Sequence, residues 1–299
     1  MTESLHAHQI EQVLELGAWR DKGRRFAVGL NGKVSKYEDD KEHEDVRRQR
    51  QGAASAPPAT PATPSASGAP ADTEPAGPHR RETLRERYLG FRPEILLYYP
   101  TAHFREVDHG LWLVARIYPL GHDSPCYWVC LFLPDEAVFS PKAFAFRRLS
   151  PLPRAVGLRH TNFPDASICA FTDEDDAWRP GDSPKILLNL FAEWLACQLF
   201  FRLTERWPGR QTGLDATYRV QEFKGDEWCC CESNKQYGEC HRASDLVEVE
   251  RLRASGQFVA MPERKVPPTI IAFAKSHWKK LPDVTRLPMH PYMGKPPRQ

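Results

Sequence analysis

The most apolar stretch of the chain runs from Pro184 to about Arg206. Apolar residues recur around most of its helical surface, namely Ile186, Leu187, Leu190, Phe191, Trp194, Leu195 and Phe201. Ser183 followed by Pro184 indicates a helix start, because the serine hydroxyl caps free N–H groups and proline suits the first helical position. A helix that is apolar over so much of its surface has to be buried. We therefore expect it to pack on a sheet and to end before Trp207.

Four shorter apolar runs precede this helix and have the composition of β-strands. They are residues 94–99, 111–118, 127–133 and 142–146. Proline, glycine and His-Gly breaks separate them, without helical periodicity in between, so an antiparallel meander is the simplest arrangement. A charged, helix-forming segment at residues 80–88 comes before the first run. A sheet followed by a helix is typical of the α+β class, which is the predicted fold.

The first 79 residues follow a different pattern. Residues 4–19 carry apolar side chains at helical spacing, and Asn31-Gly32 between two short β-prone runs predicts a hairpin. Residues 49–79 are rich in alanine and proline, a composition that buries too little apolar surface to become ordered. We therefore expect residues 1–48 to form a small helix and hairpin module, tethered by this linker and not packed on the rest of the chain.

Composition and charge narrow the cellular setting. The 299 residues carry a net charge of +2 with mixed signs and no sustained basic run, which does not favour a nucleic-acid partner. The chain shows no secretory signal pattern, and four of its eight cysteines lie between Cys229 and Cys240, so we expect a reducing, cytoplasmic location. We expect no membrane span, because polar residues interrupt the long apolar run at Asn189, Glu193 and Gln198.

A metal-ligand pattern lies in the last third of the chain. It consists of Cys229-x-Cys231, eight residues, and then Cys240-His241. Three thiolates and an imidazole at this spacing satisfy the tetrahedral geometry of Zn²⁺. Because the protein fills all four positions, we expect a structural zinc and not a catalytic one. Cys230, between the first two ligands, stays open as an alternative ligand.

The candidate for covalent chemistry is Cys169. The residues ahead of it, His160-x-Asn162 with Pro164 and Asp165, predict an irregular turn. No histidine or arginine is adjacent to Cys169, so it lacks the dedicated base of a protease nucleophile. Such a thiol suits exchange with an incoming thioester, which needs an exposed sulfur and only a modest thiolate fraction. The alternative is a buried structural thiol, the common fate of a cysteine between apolar neighbours.

These residues resemble the catalytic segment of ubiquitin-conjugating (E2) enzymes, in which an HPN motif, a short loop, ICL and W-x-P precede a helix. The matching positions are His160-Thr161-Asn162, Ile168-Cys169, Trp178-x-Pro180 and the helix that follows. Residues 127–134 and 138–146 are similar to the family's strand, FP and YP-x-x-P segments. The chain departs from the family in three ways: Thr161 replaces proline, the loop from Asn162 to Cys169 is shorter, and residues 147–159 are longer.

The resemblance implies a UBC-like domain over residues 80–210, with an antiparallel sheet and flanking helices. It implies that Cys169 carries a ubiquitin-like modifier as a thioester, that Asn162 organises the loop and stabilises the oxyanion, and that His160 holds the loop. The implied partners are the modifier, an E1-like activating enzyme and a protein substrate, with no membrane. The resemblance to bacterial proteins of this kind also allows a role in antiviral defence. The acidic residues 173–176 either orient the attacking lysine or form a solvated loop.

The cysteine cluster closely resembles the SEC-C zinc motif, C-x-C-G-S-G-K-x-Y-x-x-C-[CH]. Ser233, Lys235 and Tyr237 stand at the family's positions, whereas Glu232 and Asn234 replace glycines. Asparagine tolerates a left-handed backbone much better than glutamate does, so we expect some strain in this turn.

The resemblance places the zinc motif at residues 226–243, followed by a helical extension and tail at residues 244–299. Within that extension, residues 245–258 and 267–278 are predicted helices. Two other functions stay open. One is an inactive conjugating-enzyme fold that serves as a zinc-containing adaptor, and the other is a nucleic-acid-associated zinc protein.

Overall fold

A computed structural model describes residues 7–22, 26–28, 34–36, 82–121, 125–148, 153–157, 159–171, 177–213, 215–231 and 233–282. The helices are α1 Ala7–Asp21, α2 Leu84–Gly90, α3 Arg92–Tyr98, α4 Pro184–Thr204, α5 Ala216–Glu222, α6 Arg242–Ala254 and α7 Pro268–Lys275. The strands are β1 Phe26–Val28, β2 Val34–Lys36, β3 His103–Val107, β4 Gly110–Ile117, β5 Tyr127–Pro134, β6 Lys142–Arg148 and β7 Pro153–Ala155. The predicted linker and the acidic residues 173–176 lie outside the described residues.

An antiparallel sheet with the strand order β3-β4-β5-β6-β7 is the framework of the fold. Each strand pairs with its neighbour in sequence, so that Ile117 lies opposite Tyr127, and Tyr127 lies opposite Arg147. The predicted meander and the mixed α and β fold are thus confirmed. Side chains of β4, β5 and β6 alternate between the two faces of the sheet, and helices cover both faces.

The prediction of a strand at residues 94–99 is wrong, because this segment forms helix α3. Pro93 lies in the first turn of α3, where its missing N–H costs no hydrogen bond, and Glu94 suits the positive end of the helix. Ile95 is fully buried, and its carbonyl accepts a hydrogen bond from the Tyr99 N–H at 2.7 Å. A short apolar run does not distinguish helix from strand by periodicity. The edge strands β3 and β7, which no apolar run marks, were not predicted.

Helix α4 packs across one face of the sheet, as predicted, and begins at the expected cap, since the Ser183 hydroxyl accepts from the Lys185 N–H. It is long and apolar enough to span a membrane by length and composition, which corrects the expectation that its polar residues prevent this. Within the most apolar 18 residues of this helix, 72% are buried inside the protein. Two of the polar residues have tertiary partners: Glu193 pairs with Arg20 at 2.8 Å, and Gln198 donates to a loop carbonyl. This is the environment of a core helix.

Helix α1 packs against α4 and extends the main core. Val13 and Leu16 are buried there. At the end of α1, Asp21 accepts hydrogen bonds from Arg206 and from the Trp228 indole N–H, the latter at 3.1 Å. The expectation that the N-terminal module is not packed is therefore wrong for this helix, which belongs to the same compact unit as the sheet. Strands β1 and β2 pair antiparallel as the hairpin predicts, and its turn lies outside the described residues.

Helix α7 covers the opposite face of the sheet. Phe273 lies against Trp112 with ring centroids 5.1 Å apart, and Trp278 lies against Trp128 at 5.2 Å. Ile270 is fully buried in the same cluster. The predicted helix at residues 267–278 is confirmed, and the one at 245–258 is observed slightly earlier, as α6. The last part of the described chain thus returns to the sheet.

Candidate functional site

The segment from His160 to Cys169 forms a closed loop between β7 and α4. Thr161 and Ile168 pair as an antiparallel bridge. The Cys169 N–H donates to the His160 carbonyl at 3.0 Å, and the Asn162 N–H donates to the Ser167 carbonyl at 2.7 Å. Cys169 follows directly after this bridge and is partly exposed. Cys169 is therefore the last residue of a loop that is closed by backbone hydrogen bonds between its two ends.

The side chain of Asn162 holds the loop from inside. Its amide nitrogen donates to the Ser167 hydroxyl at 3.1 Å and to the Ile168 carbonyl at 3.3 Å. Both acceptors lie within two residues of Cys169, so Asn162 fixes the backbone that leads into the thiol. The Asn162 side chain therefore cross-links the two ends of the loop.

Contacts to β6 attach the loop to the sheet. The Ile168 N–H donates to the Ala143 carbonyl at 2.7 Å. Asp165, whose side chain is only 2% exposed, forms an ion pair with Lys142 and accepts from the Ser167 N–H at 3.0 Å. A buried carboxylate needs such partners to offset its loss of hydration. These contacts to β6 fix the position of the loop, and with it that of Cys169, relative to the sheet.

The His160 side chain lies in a pocket formed by residues after α4. Its ring stacks on Trp207 with centroids 4.2 Å apart, and Nε2 lies 2.8 Å from Gln211 Oε1. Burial lowers the pKa of His160 to about 3, outweighing the opposing effect of the Gln211 hydrogen bond. Its carbonyl accepts from the Trp194 indole as well as from Cys169. These contacts hold the His160 end of the loop in place.

Tyr218 on helix α5 interacts electrostatically with Cys169, a relation that sequence reasoning missed. Burial, followed by the charges of Glu222 and Cys169, raises the pKa of Tyr218 to about 12. Arg159 and Arg264 act on the same hydroxyl in the opposite direction. Charged groups from three separate parts of the chain therefore act on the Tyr218 hydroxyl.

On the other side of the loop, the chain returns to α4 through Trp178. Its ring stacks on Tyr88 of α2 with centroids 6.3 Å apart. The Tyr88 hydroxyl accepts from the Gly181 N–H at 3.3 Å. Helix α2 begins with a capping box between Thr83 and Glu86, which fixes its start. The segment that precedes α4 is thus packed against the first helix of the sheet domain.

Three further cysteines lie outside the Cys169 loop and outside the segment that carries the metal ligands. Cys130 and Cys197 are buried in β5 and α4, and burial raises the pKa of both thiols, that of Cys197 to about 12. They are therefore poor nucleophiles. Cys126, just before β5, is partly exposed like Cys169, but it lies outside the closed loop.

The four predicted metal ligands come together. The ligand atoms of Cys229, Cys231, Cys240 and His241 all lie within 4.8 Å of one another. His241 Nδ1 lies 3.0 Å from the Cys229 sulfur, and the sulfurs of Cys231 and Cys240 lie 3.4 Å apart. In a tetrahedral zinc site with Zn–S bonds of about 2.3 Å, two sulfurs lie about 3.8 Å apart. The donor set and its spacing fit Zn²⁺.

The surroundings of the cluster suit thiolate ligands. The Ser233 hydroxyl lies 3.0 Å from the Cys231 sulfur and 3.2 Å from the Cys240 sulfur. Its hydrogen bond is the largest cause that lowers the pKa of Cys231 to about 6. Asn234 has a φ of 54°, the left-handed conformation that the glycine at this position in the zinc motif predicts. Cys230 is not part of the cluster, and its sulfur faces Gly213.

Tyr237 and Asp245 form a hydrogen-bonded pair next to the metal ligands. Tyr237 is fully buried, and its hydroxyl donates to Asp245 at 3.1 Å. Arg219 of α5 forms two hydrogen bonds to the same carboxylate, at 2.7 and 2.6 Å. Such a paired arginine–carboxylate contact is strong and directional. It fastens α5 to the start of α6 across the metal ligands.

Sequence reasoning also missed Glu227, the residue that links the two candidate sites. Its side chain is fully buried, and it accepts from Arg159, from Gln211 Nε2 at 2.9 Å and from the Trp207 N–H at 2.7 Å. No local pattern marks a glutamate before Trp228 as buried. A tryptophan directly before the cysteines is the one available signal, because it predicts that the start of the motif is packed.

Comparison with known proteins assigns no family to this chain: no family model matches it, and neither does any curated protein or solved structure.

Proposed function

We propose that the protein is a conjugating enzyme of the ubiquitin-conjugating type, with Cys169 as the residue that carries a ubiquitin-like modifier. The supporting observation is the closed loop that presents a partly exposed thiol between an antiparallel meander and a long core helix. The order of the elements and the position of Asn162 inside the loop agree with that proposal. On this proposal the sheet domain has the UBC-like fold and works in the cytoplasm.

Two exchange steps make up the proposed reaction. The Cys169 thiolate attacks the thioester carbonyl of the modifier on an E1-like activating enzyme, and the activating enzyme's thiolate leaves. An amine of the protein substrate then attacks the new thioester, gives up a proton to water or a nearby base, and releases the Cys169 thiolate. Each step passes through a tetrahedral oxyanion, which hydrogen-bond donors stabilise.

Asn162 and His160 have different roles in this proposal. Asn162 carries the side-chain amide nearest to Cys169 in sequence, and it contributes to oxyanion stabilisation when an N–H of that amide turns from the Ile168 carbonyl. His160 is a positioning residue, because its ring is neutral at physiological pH and is engaged with Gln211 and Trp207. Proton removal by His160 is not part of the mechanism.

We further propose a structural Zn²⁺ held by Cys229, Cys231, Cys240 and His241. Four protein ligands leave no coordination position for a substrate, so the metal supplies folding energy to a module whose own apolar cluster is small. The module would serve for partner recruitment. No step of the transfer reaction passes through the metal.

A loading experiment tests the function. Purified protein is incubated with an activating enzyme, ATP and a ubiquitin-like modifier from the same genome, and the products are separated with and without reductant. The wild type forms an adduct that reductant cleaves, Cys169→Ser forms an oxygen ester that survives reductant, and Cys169→Ala forms none. Cys126→Ser, which removes the other partly exposed cysteine of the sheet domain, is the matched control and loads normally. A cleavable adduct on Cys169→Ala would refute the assignment.

One observation favours a second candidate, an inactive adaptor with the same fold. The hydroxyl of Tyr218, one of the groups that interact electrostatically with Cys169, has a raised pKa and so offers no base to the thiol. An adaptor keeps the fold and the zinc module without loading a modifier. The same gel decides between the two, since an adaptor shows no adduct in the wild type.

A further inference from the structure

The chain that follows α6 contacts the loop that precedes Cys169. The Arg264 guanidinium lies over the Phe163 ring, 3.9 Å from its centroid. The Lys265 N–H donates to the Pro164 carbonyl at 2.9 Å. Arg264 is only 7% exposed at its side chain. A cation that is stacked and buried in this way is fixed in position, and it fixes the loop residue beneath it.

The carboxylate of Glu222 on α5 lies between Arg264 and Arg159, the residue before the loop. Glu222 lies 2.8 Å from Arg264 and 3.9 Å from Arg159, and its own side chain is 11% exposed. Tyr218 stands four residues earlier on α5, so it and Glu222 share one face of the helix. Loss of the carboxylate would leave two largely buried guanidinium groups with less compensation.

Glu227 continues the connection to the metal ligands. It pairs with Arg159, and its backbone carbonyl accepts from the Tyr237 N–H at 2.7 Å. Cys229, the first ligand, lies two residues further along the chain. Its backbone N–H donates to the Lys235 carbonyl at 3.0 Å. The hairpin that carries the cysteines is therefore anchored on the same arginine that leads into the Cys169 loop.

We propose that the metal-binding module positions Cys169, with Glu222, Glu227 and Arg264 as positioning residues, so that loss of the metal loosens the loop from His160 to Cys169. We call Arg159, Glu222, Glu227 and Arg264 the arginine–glutamate bridge. The catalytic meaning of this coupling rests on the proposed function, whereas the coupling itself is a property of the folded chain. Zinc then acts at the thiol through protein contacts and not through coordination.

Hydrogen exchange measured by mass spectrometry on the full-length, zinc-loaded protein tests the bridge. In Arg264→Met, peptides covering residues 160–170 exchange roughly tenfold faster, because local opening no longer has to break the stacked ion pair. Arg264→Lys keeps the charge and restores most of the protection. Arg251→Met removes an exposed ion pair with Glu248 on α6 and is the matched control, with no change in the loop. Strands β4 and β5 keep their protection in all three.

Unchanged exchange of residues 160–170 in Arg264→Met would overturn the proposal, as would an equal rise in β4 and β5, which signals general destabilisation. Glu222→Gln, which keeps the shape of the side chain, is the second variant if Arg264→Met fails to fold. Glu222→Gln combined with Arg264→Met should loosen the loop by less than the sum of the two single variants, because both break the Glu222–Arg264 pair. Additive effects contradict a shared contact.

Metal removal tests the link to the cluster. Chelation of zinc with EDTA should speed exchange in residues 160–170 as well as in residues 225–245, and added ZnCl₂ should restore both. Faster exchange confined to residues 225–245 refutes the coupling. These measurements need no modifier, so a loop that loosens on chelation while Cys169 fails to load would keep the coupling and reject the proposed function.

Discussion

His160 is partly buried and combines an uncommon backbone conformation with a neutral ring. Its φ is 50°, in the left-handed region that residues with a side chain rarely adopt, and Ala166 within the same loop has a φ of 56°. Such conformations cost about 1–3 kcal/mol each and persist only where the surroundings enforce them. Here the surroundings are Trp207, Gln211 and the Trp194 indole. The loop is thus held against its own preference.

The neutral His160 ring predicts a specific sensitivity to acid. Between pH 6.5 and about 3 the unfolded chain binds a proton at this residue that the folded chain does not, so stability falls as pH falls through that window. From pH 7.5 to 5.0 the loss is about 2 kcal/mol. His160→Gln keeps a donor for Gln211 and should show a smaller drop in melting temperature over this range. His103→Gln, at an exposed position on β3, should behave like the wild type.

Asn162 carries a prediction about reaction steps. Asn162→Ala should leave loading of Cys169 mostly intact and slow discharge to free lysine by about 10²-fold, the usual effect of losing an oxyanion donor. Single-turnover discharge of the preloaded protein measures it. Asn189→Ala removes another asparagine contact, the one with the Tyr99 hydroxyl in the core, and should leave the discharge rate unchanged. Equal slowing in both variants would mean a general loss of structure.

At the scale of elements, the contact between α1 and α4 depends on a glycine. A Cβ at Gly17 would lie 2.0 Å from the Phe200 ring. Gly17→Ala should therefore destabilise the protein by about 1–3 kcal/mol through overpacking. Gly90→Ala is the matched control, because nothing lies within 4 Å of a Cβ there, and it should be neutral or slightly stabilising. Thermal unfolding of the two variants checks this, and equal melting temperatures would contradict the packing.

The sequence predicted elements well where a long pattern or a cap marks them. Helix α4 with its Ser183 cap, and strands β4, β5 and β6, follow from their apolar runs. The predicted strand at residues 94–99 is the helix α3, because so short an apolar run fits either period and Pro93 favours a helix start. Strand β3 was missed because its side chains are largely exposed, and an edge strand shows little apolar pattern.

The candidate sites divide in the same way. Cys169, Asn162 and the four metal ligands stand in motifs that a single chain displays. Glu227 and Arg264 do not, because their role arises from contacts between segments that are far apart in sequence. Arg159 and Glu227 are 68 residues apart, and no local period or spacing relates them. The docking of α1 was missed for the same reason.

At the scale of the whole molecule, the two parts of the protein depend on the metal to different degrees. We expect one Zn²⁺ per chain by metal analysis of protein prepared without chelator. Chelation should unfold residues 225–245, while strands β4 and β5, whose core does not include the ligands, stay folded. Circular dichroism and hydrogen exchange with and without EDTA measure this. A zinc content near zero would refute the site, and full retention of zinc in Cys240→Ser would change the ligand assignment.

The docking of α1 sets an order of events during synthesis. Asp21 and its partner Arg206 are 185 residues apart, and Asp21 and Trp228 are 207 apart. At about 5–20 residues per second, the ribosome takes on the order of 10–40 seconds to make the partners of α1. Until then the apolar side of α1, with Val13 and Leu16, has nothing to pack on. Helix α1 is therefore synthesised well before the residues that bury it.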